Sequence, residues 1–316
     1  DNAEAEIETR HIRFGDAAAV LWTSGTTGKP KGVIQSHNVW IRAALNNDRL
    51  YGTRPGDVAY NCLPLYNSAA WVANIYRALS TGIPCALDEQ FSVSKFWGRI
   101  RHYGATQTMT LGAMHMFLWN EPRRTDDADN PLRVASMVPM PQKLIAPFCE
   151  RFGLEAIVQG LGQSEVMPIL SKVETPARQC KPNALGKLFD DMEVKLLRDD
   201  GEEAGPGEVG EFSIRPLAPH VIFSGYFDDP EATSRAYRGE WYCTGDLGMK
   251  DAEGDYYFVD RKKDYIRYKG RNISSLQVEG IAAGHPAVKA AAVYGVPSDT
   301  LESEHEIKLD VILKAG

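Results

Sequence analysis

No stretch of this chain approaches the roughly 18 consecutive apolar residues that a bilayer-crossing helix needs, so no membrane span is expected. Cysteine is sparse as well: five residues, at positions 62, 85, 149, 180 and 243, form neither a C-x-x-C pair nor a His/Cys cluster at metal-ligand spacing. An odd, scattered set of this kind reads as reduced thiols, and Cys62 and Cys85 sit in apolar runs where a thiol serves as a small buried hydrophobe. Basic excess is missing too, since the formal net charge is -7, which argues against a protein that binds nucleic acid by neutralising phosphates. The first residues, Asp-Asn-Ala-Glu-Ala-Glu-Ile-Glu, are acidic where a signal peptide is basic and then apolar, and a cytoplasmic location is expected. Internal repeats and low-complexity linkers are absent.

What remains is an ordinary globular composition: 316 residues, 43% hydrophobic and 24% charged, enough for two domains with their own cores. Apolar runs at Ala17–Trp22, Val58–Leu63 and Ala156–Val158 alternate with helix-like stretches at Asn38–Asp48, Ser92–Tyr103 and Pro141–Phe152, the pattern of an α/β sheet with crossover helices. In the Ser92 stretch Val93, Phe96, Trp97 and Ile100 recur at helical spacing, which predicts core rather than a ligand box. From about residue 185 the chain breaks into short strands separated by Gly, Pro and Asp turns. After the charged string Asp260-Arg261-Lys262-Lys263-Asp264 a new β/α pattern begins.

Chemistry concentrates in Leu21-Trp22-Thr23-Ser24-Gly25-Thr26-Thr27-Gly28-Lys29-Pro30-Lys31-Gly32. Its glycines let backbone N–H groups approach anionic oxygens, Thr23, Ser24, Thr26 and Thr27 add neutral donors, and Lys29 and Lys31 bring positive charge: a cradle for polyphosphate. It is not the P-loop of kinases and GTPases. That pattern needs a glycine where Thr23 stands and a hydroxyl residue where Pro30 stands.

This loop resembles the phosphate-binding signature of the adenylate-forming superfamily, which includes acyl-CoA synthetases, peptide-synthetase adenylation domains and firefly luciferase. Gly160-Leu161-Gly162-Gln163-Ser164-Glu165 resembles its second signature, in which the hydroxyl residue contacts phosphate and the glutamate helps hold Mg2+. The family tyrosine that stacks on adenine is Leu161 here, which forgoes about 1 kcal/mol of stacking. A glycine-rich loop lining the same pocket is replaced by Ser136-Met137-Val138-Pro139-Met140-Pro141. Trp241-Tyr242-Cys243-Thr244-Gly245-Asp246 resembles the element whose aspartate accepts the two ribose hydroxyls. The string from Asp260 resembles the family hinge, with Arg261 reaching ribose and phosphate, Val259 beside the nucleotide and Lys263 as pivot. In Leu63-Pro64-Leu65-Tyr66-Asn67, the histidine that borders the acyl pocket in the family is Asn67, an amide that can orient a substrate but does not titrate near neutral pH. The acyl pocket is expected to draw on Tyr66, Asn67, Leu111 and Gly112. Tyr66 and Trp71 suit either cation–π contact or core packing.

Phe96-Trp97-Gly98-Arg99, Tyr103-Gly104-Ala105-Thr106 and Phe148-Cys149-Glu150-Arg151-Phe152-Gly153 are most similar to the crotonobetaine/carnitine-CoA ligase branch. The resemblance implies residues 1–184 as the α/β part of a large N-terminal domain, 185–262 as its β-rich subdomain, and 263–316 as the start of a small mobile α+β C-terminal domain. Family members place a subdomain before the phosphate loop and an adenylation-assisting lysine beyond the last segment, so the chain is expected to be part of a longer protein. Alone it should keep nucleotide contacts without efficient adenylation. The implied activity uses ATP, Mg2+ and coenzyme A to convert a small carboxylic acid to acyl-AMP and then acyl-CoA, with Thr23, Lys31, Ser164, Glu165 and Arg261 as catalytic residues. Transfer to a carrier-protein thiol, or a noncatalytic nucleotide-binding protein, are the alternatives. A homodimer is compatible with the resemblance.

Overall fold

The computed structural model describes residues 11–23, 30–178, 180–268, 271–283, 285–297 and 305–314. The chain divides into two compact units, Asp1–Cys180 with Phe189–Asp191 and Pro216–Thr233, and Lys181–Leu188 with Met192–Arg215 and Ser234–Gly316. No helix among the described residues is long and apolar enough to cross a membrane.

The first unit opens with an antiparallel hairpin, β1 (Ala17–Thr23) and β2 (Lys31–Ser36), in which Thr23 faces Lys31. Ser36 then caps helix α1 (His37–Tyr51), its hydroxyl accepting the Val39 N–H at 3.3 Å. The main sheet contains β3 (Ala59–Asn61), β4 (Cys85–Leu87), β5 (Gln107–Leu111), β6 (Val134–Val138) and β7 (Ala156–Gln163), all parallel, and β8 (Met167–Glu174), antiparallel to β7. Their spatial order is β4-β3-β5-β6-β7-β8. β3 and the first four residues of β6 are buried without interruption, as strands covered on both faces must be.

The helices expected from periodicity are present: α1, Val93–Tyr103, and Ile145–Phe152 preceded by a 3-10 turn at Gln142–Leu144. Phe96 and Ile100 are fully packed in a core with Leu118, Met137, Phe148, Phe152 and Ile157, and Trp97 stacks on Phe152 with ring centroids 4.4 Å apart. The aromatics of that helix are therefore core, as their spacing predicts.

At the amino ends of the strands, buried Asp57 accepts hydrogen bonds from Thr106, Gln107, the Arg54 backbone and the Arg133 guanidinium. Burial opposes its charge, but these donors outweigh burial and lower the carboxyl to about 2. Burial pushes the Cys62 thiol up to about 12 and those of Cys85 and Cys149 up to about 11, which makes these cysteines poor nucleophiles.

The second unit is β-rich. Met192–Leu197, Val209–Pro216, Trp241–Lys250 and Tyr237–Arg238 form one sheet in that order, with Tyr256–Arg261 paired to Trp241–Lys250. A two-stranded ribbon, Ile266–Tyr268 with Arg271–Ile273, leads to helix Ser275–Ala283 and a second ribbon of Val288–Pro297 with His305–Leu313. Asp260, from the charged string, accepts the backbone N–H and hydroxyl of Ser275 at 2.7 and 3.0 Å, tying that string to the start of the helix.

Candidate active site

Chain order fixes where a ligand can sit on the parallel sheet. Numbered along the chain, its five parallel strands run second, first, third, fourth, fifth, so the winding direction reverses between β3 and β5. Loops leaving the carboxyl ends of strands on either side of such a reversal diverge and open a crevice. The loop after β3 carries Leu63 to Ser68, and the end of β5 carries Leu111 and Gly112. The four residues expected at the acyl pocket thus flank the switch point. Tyr66 is 77% exposed there. Asn67 accepts the Ala69 N–H at 2.9 Å, which fixes the loop's entry into a π-helical turn, Ala70–Ile75. Gly112 has φ 52° and ψ -120°, a conformation closed to side chains, and starts the helix Ala113–Asn120. Trp71, partly buried, packs on Trp40 at 5.2 Å and donates to the Leu65 carbonyl.

The phosphate-site candidates assemble from three strand ends. Along β1 and β2 the side chains alternate, so Leu21 and Thr23 share the inner face with Lys31, Val33 and Gln35, while Trp22 points outward and is 60% exposed. Thr23 and Lys31 close the hairpin that carries the phosphate-loop residues, and the Thr23 hydroxyl donates to the Lys31 carbonyl at 3.4 Å. Ser24, Gly25, Thr26, Thr27, Gly28 and Lys29 lie outside the described residues.

The second signature extends the strand beyond the apolar run Ala156–Val158: β7 continues through Gly160, Leu161, Gly162 and Gln163, and Ser164-Glu165-Val166 makes the tight turn into β8. Gly160 permits this pairing, because a Cβ there would stand 2.2 Å from the Leu170 carbonyl oxygen. The turn is pinned to β2 by Gln35, whose amide donates to the Ser164 carbonyl at 2.7 Å, and to the switch-point loop by a 3.2 Å contact between the Ser164 and Ser68 hydroxyls.

Glu165 is buried and pairs with no cation among the described residues. Its Oε1 accepts a 2.9 Å hydrogen bond from Tyr226, and the Tyr226 ring in turn lies under the Lys31 ammonium, 4.3 Å from nitrogen to centroid. A buried carboxylate that pairs with no cation among the described residues, next in the chain to the Ser164 hydroxyl, fits a hard divalent cation such as Mg2+.

In the second unit the Thr-Gly-Asp element is a strand bulge. Between Glu211 and Ser213 the register against Trp241–Lys250 jumps from Leu247 to Cys243, and Gly245 absorbs the irregularity at φ 76°. The Thr244 hydroxyl donates to the Phe212 carbonyl at 2.8 Å, and the Gly245 N–H donates to Glu211 at 2.9 Å. Asp246, 6% exposed, pairs in register with Arg261, whose Nε lies 3.6 Å from its carboxylate. Arg261 itself is 57% exposed at the side chain and can turn toward an anion. The Val259 carbonyl accepts the Ser274 hydroxyl at 3.0 Å, and Lys263 follows in the turn after the strand, half-exposed beside Asp264.

A family model described as AMP-binding enzyme matches residues 2–227. The chain belongs to the AMP-binding enzyme family. A crotonobetaine/carnitine–CoA ligase of Salmonella arizonae is 31% identical over 304 residues, which is 95% of this chain and 58% of that protein. The corresponding ligase of Escherichia coli K12 matches at the same 31% identity and 58% coverage. This AMP-binding enzyme chain therefore spans a little over half the length of the curated relatives it matches, and the expected likeness to ligases of that type is borne out. Among solved structures, the O-succinylbenzoate coenzyme A synthetase of Bacillus subtilis in complex with ATP and magnesium ion superposes with a TM-score of 0.83 at 28% identity, over 98% of this chain and 63% of that one. An amide bond synthetase of Marinactinospora thermotolerans gives 0.79 at 28% identity, over 95% and 60%.

Sequence reading of this AMP-binding enzyme chain passes over Tyr226, Gln35 and Ser68. Tyr226 is about 60 residues from Glu165 and nearly 200 from Lys31 in the chain, so only strand pairing reveals that it touches both. Ser224-Gly225-Tyr226-Phe227, just before the helix start Asp229-Pro230-Glu231, is the available sign of a short strand there.

Proposed function

We propose that the protein is an ATP-dependent carboxylate–coenzyme A ligase. The observation that carries this reading is the convergence of Lys31, Tyr226, Ser164 and the buried carboxylate of Glu165 beside a sheet switch point, in a chain whose relatives include CoA ligases. In the first half-reaction a substrate carboxylate oxygen attacks the α-phosphorus of ATP, the bond to the bridging oxygen breaks, and pyrophosphate leaves. In the second, the coenzyme A thiolate attacks the acyl carbon and AMP leaves with the bonding electrons.

The protein's part is positioning and charge complementarity. Lys31 and the hydroxyls of Thr23 and Ser164 meet the phosphates, together with the residues 24 to 29 assigned to the loop. Glu165 would hold Mg2+, which when bound offsets the negative charge of the polyphosphate. Asp246 accepts the ribose hydroxyls, Arg261 reaches ribose and phosphate, and Val259 lies beside the nucleotide. Tyr66, Asn67, Leu111 and Gly112 border the acid. Lys263 serves as the pivot between a large domain of residues 1–262 and a small one from 263 onward. The protein is cytoplasmic in this reading, and its partners are a small carboxylic acid, coenzyme A and a second copy of itself.

Mass spectrometry of the intact protein with Mg-ATP and a panel of short, aromatic and betaine-type carboxylates, with and without coenzyme A, tests it. Acyl-AMP that becomes acyl-CoA only when the thiol is added is the expected result. Intact ATP in every reaction despite measurable ATP binding would favour the noncatalytic alternative, and acyl-AMP that coenzyme A leaves unchanged would favour another acceptor.

A further inference from the structure

We infer that Tyr226 is the positioning residue that sets both charges of the phosphate site, holding Lys31 on its ring and Glu165 on its hydroxyl. The inference rests on the ligase reading for the roles of those two residues. It goes beyond that reading in assigning their coupling to one side chain.

The backbone supports this placement from two sides. Gly225 and Tyr226 pair with Ile34 and Val33 of β2, and the Phe227 N–H donates to the Gly32 carbonyl at 2.7 Å. The Phe223 N–H, three residues earlier, donates to the Glu165 carbonyl at 2.7 Å. The same short segment is therefore stitched both to the strand that starts with Lys31 and to the turn that carries Glu165. Lys31 lies two residues from Val33 on the same sheet face, which makes it the diagonal cross-strand neighbour of Tyr226, within reach of a long side chain. The Tyr226 ring, 6% exposed, packs on Phe223 at 5.1 Å, so packing alone would be served equally by phenylalanine. The hydroxyl adds one contact at Glu165: it occupies Oε1 and leaves Oε2 to face a cation. Outer hydrogen bonds of this kind orient a metal-binding carboxylate and tune its affinity. The ring face meanwhile keeps the Lys31 ammonium within cation–π range instead of letting it fold onto Glu165, which would neutralise the carboxylate.

The two contacts separate by substitution. Tyr226→Phe keeps the ring and loses the hydroxyl, whereas Tyr226→Leu loses both. Binding of a non-hydrolysable ATP analogue to the intact protein, measured by calorimetry across a Mg2+ titration, reads each arm. For Tyr226→Phe the Mg2+ concentration at half-effect should rise about tenfold, while analogue affinity without metal stays within about twofold of wild type. Tyr226→Leu should additionally weaken metal-free binding roughly fivefold. In a Glu165→Gln background, where the Mg2+ midpoint is already raised but still measurable, Tyr226→Phe should raise it no further, a non-additivity that a merely structural role would not produce. If Tyr226→Phe leaves the Mg2+ midpoint unchanged while Glu165→Gln shifts it, the inference is overturned and the ligase reading stands. Wild-type protein whose analogue binding ignores Mg2+ overturns both.

Discussion

Replacing Gly160 by alanine tests whether the second signature owes its glycine to backbone pairing. The new Cβ would stand 2.2 Å from the Leu170 carbonyl oxygen, 2.7 Å from the Ser171 hydroxyl and 3.1 Å from the Ser171 Cα. Contacts under 3.0 Å are essentially never made by a Cβ, so β8 must retreat from β7 by about 0.8 Å. The obstacle is backbone on a paired strand and has no rotamer to change. Overpacking of this kind costs about 3 kcal/mol, and at roughly 2 to 4 °C per kcal/mol the thermal midpoint should fall by roughly 6 to 12 °C. Because Ser164 and Glu165 form the turn between these two strands, a displacement approaching 1 Å should also lower kcat/KM for the proposed acyl-AMP formation roughly a hundredfold. Calorimetric melting and a pyrophosphate-release assay on the same sample measure both. A Gly160→Ala protein that melts within about 2 °C of wild type with unaltered turnover would refute the reasoning. Gly98→Ala is the matched control, since that helical glycine has no atom within 4 Å of its would-be Cβ, and the change should stabilise by about 0.5 to 1 kcal/mol.

Other expectations can be checked independently. Asp246→Ala should abolish discrimination between ATP and 2′-deoxy-ATP, against a preference of roughly tenfold or more in wild type, the scale of a hydrogen bond to a charged acceptor; equal preference in both proteins would remove Asp246 from the ribose site. Asp57 gives a pH signature: its carboxyl is lowered to about 2 from an unfolded value near 3.9, so its contribution of roughly 2 kcal/mol is complete above about pH 4 and is lost as pH falls toward 2. Denaturant unfolding of wild type and Asp57→Asn should accordingly differ most near pH 5, with the gap closing on acidification; a gap independent of pH would contradict the assignment. Alkylation of the native protein at pH 8 should leave Cys62 unmodified, because burial holds its thiol protonated, and rapid labelling there would count against that environment.

How much of this was legible in the sequence depends on the range of the interaction that fixes each feature. Helix α1 and the Val93–Tyr103 helix could be read because their determinants, apolar spacing and a Ser or Gly at the ends, lie within a few turns of one another. The residues of the phosphate hairpin, the Gly160–Glu165 signature and the Thr-Gly-Asp element could be read because composition there is dictated by a ligand or by strain. What each forms could not be read so directly. Gly160 looks like a loop glycine, yet it sits in a strand because the facing carbonyl of Leu170 needs the space. Thr-Gly-Asp looks like a turn, yet it is a bulge whose glycine is held by Glu211 from the neighbouring strand.

The same distinction explains the residues proposed to border the acid, and Tyr226. Tyr66, Asn67, Leu111 and Gly112 come from two separate stretches, and nothing in either says they are neighbours. The strand order supplies that, because β3 and β5 are adjacent only once β4 has moved to the outside of β3. Tyr226 is further out of reach: its local sequence asks only for an aromatic residue that can pack on Phe223, and the reason for a hydroxyl appears when Glu165 arrives from a turn about 60 residues earlier in the chain. Ligand-shaped motifs can thus be recognised one segment at a time. The residues that hold those motifs in register answer to the fold, and they become visible only when strands distant in the chain are paired.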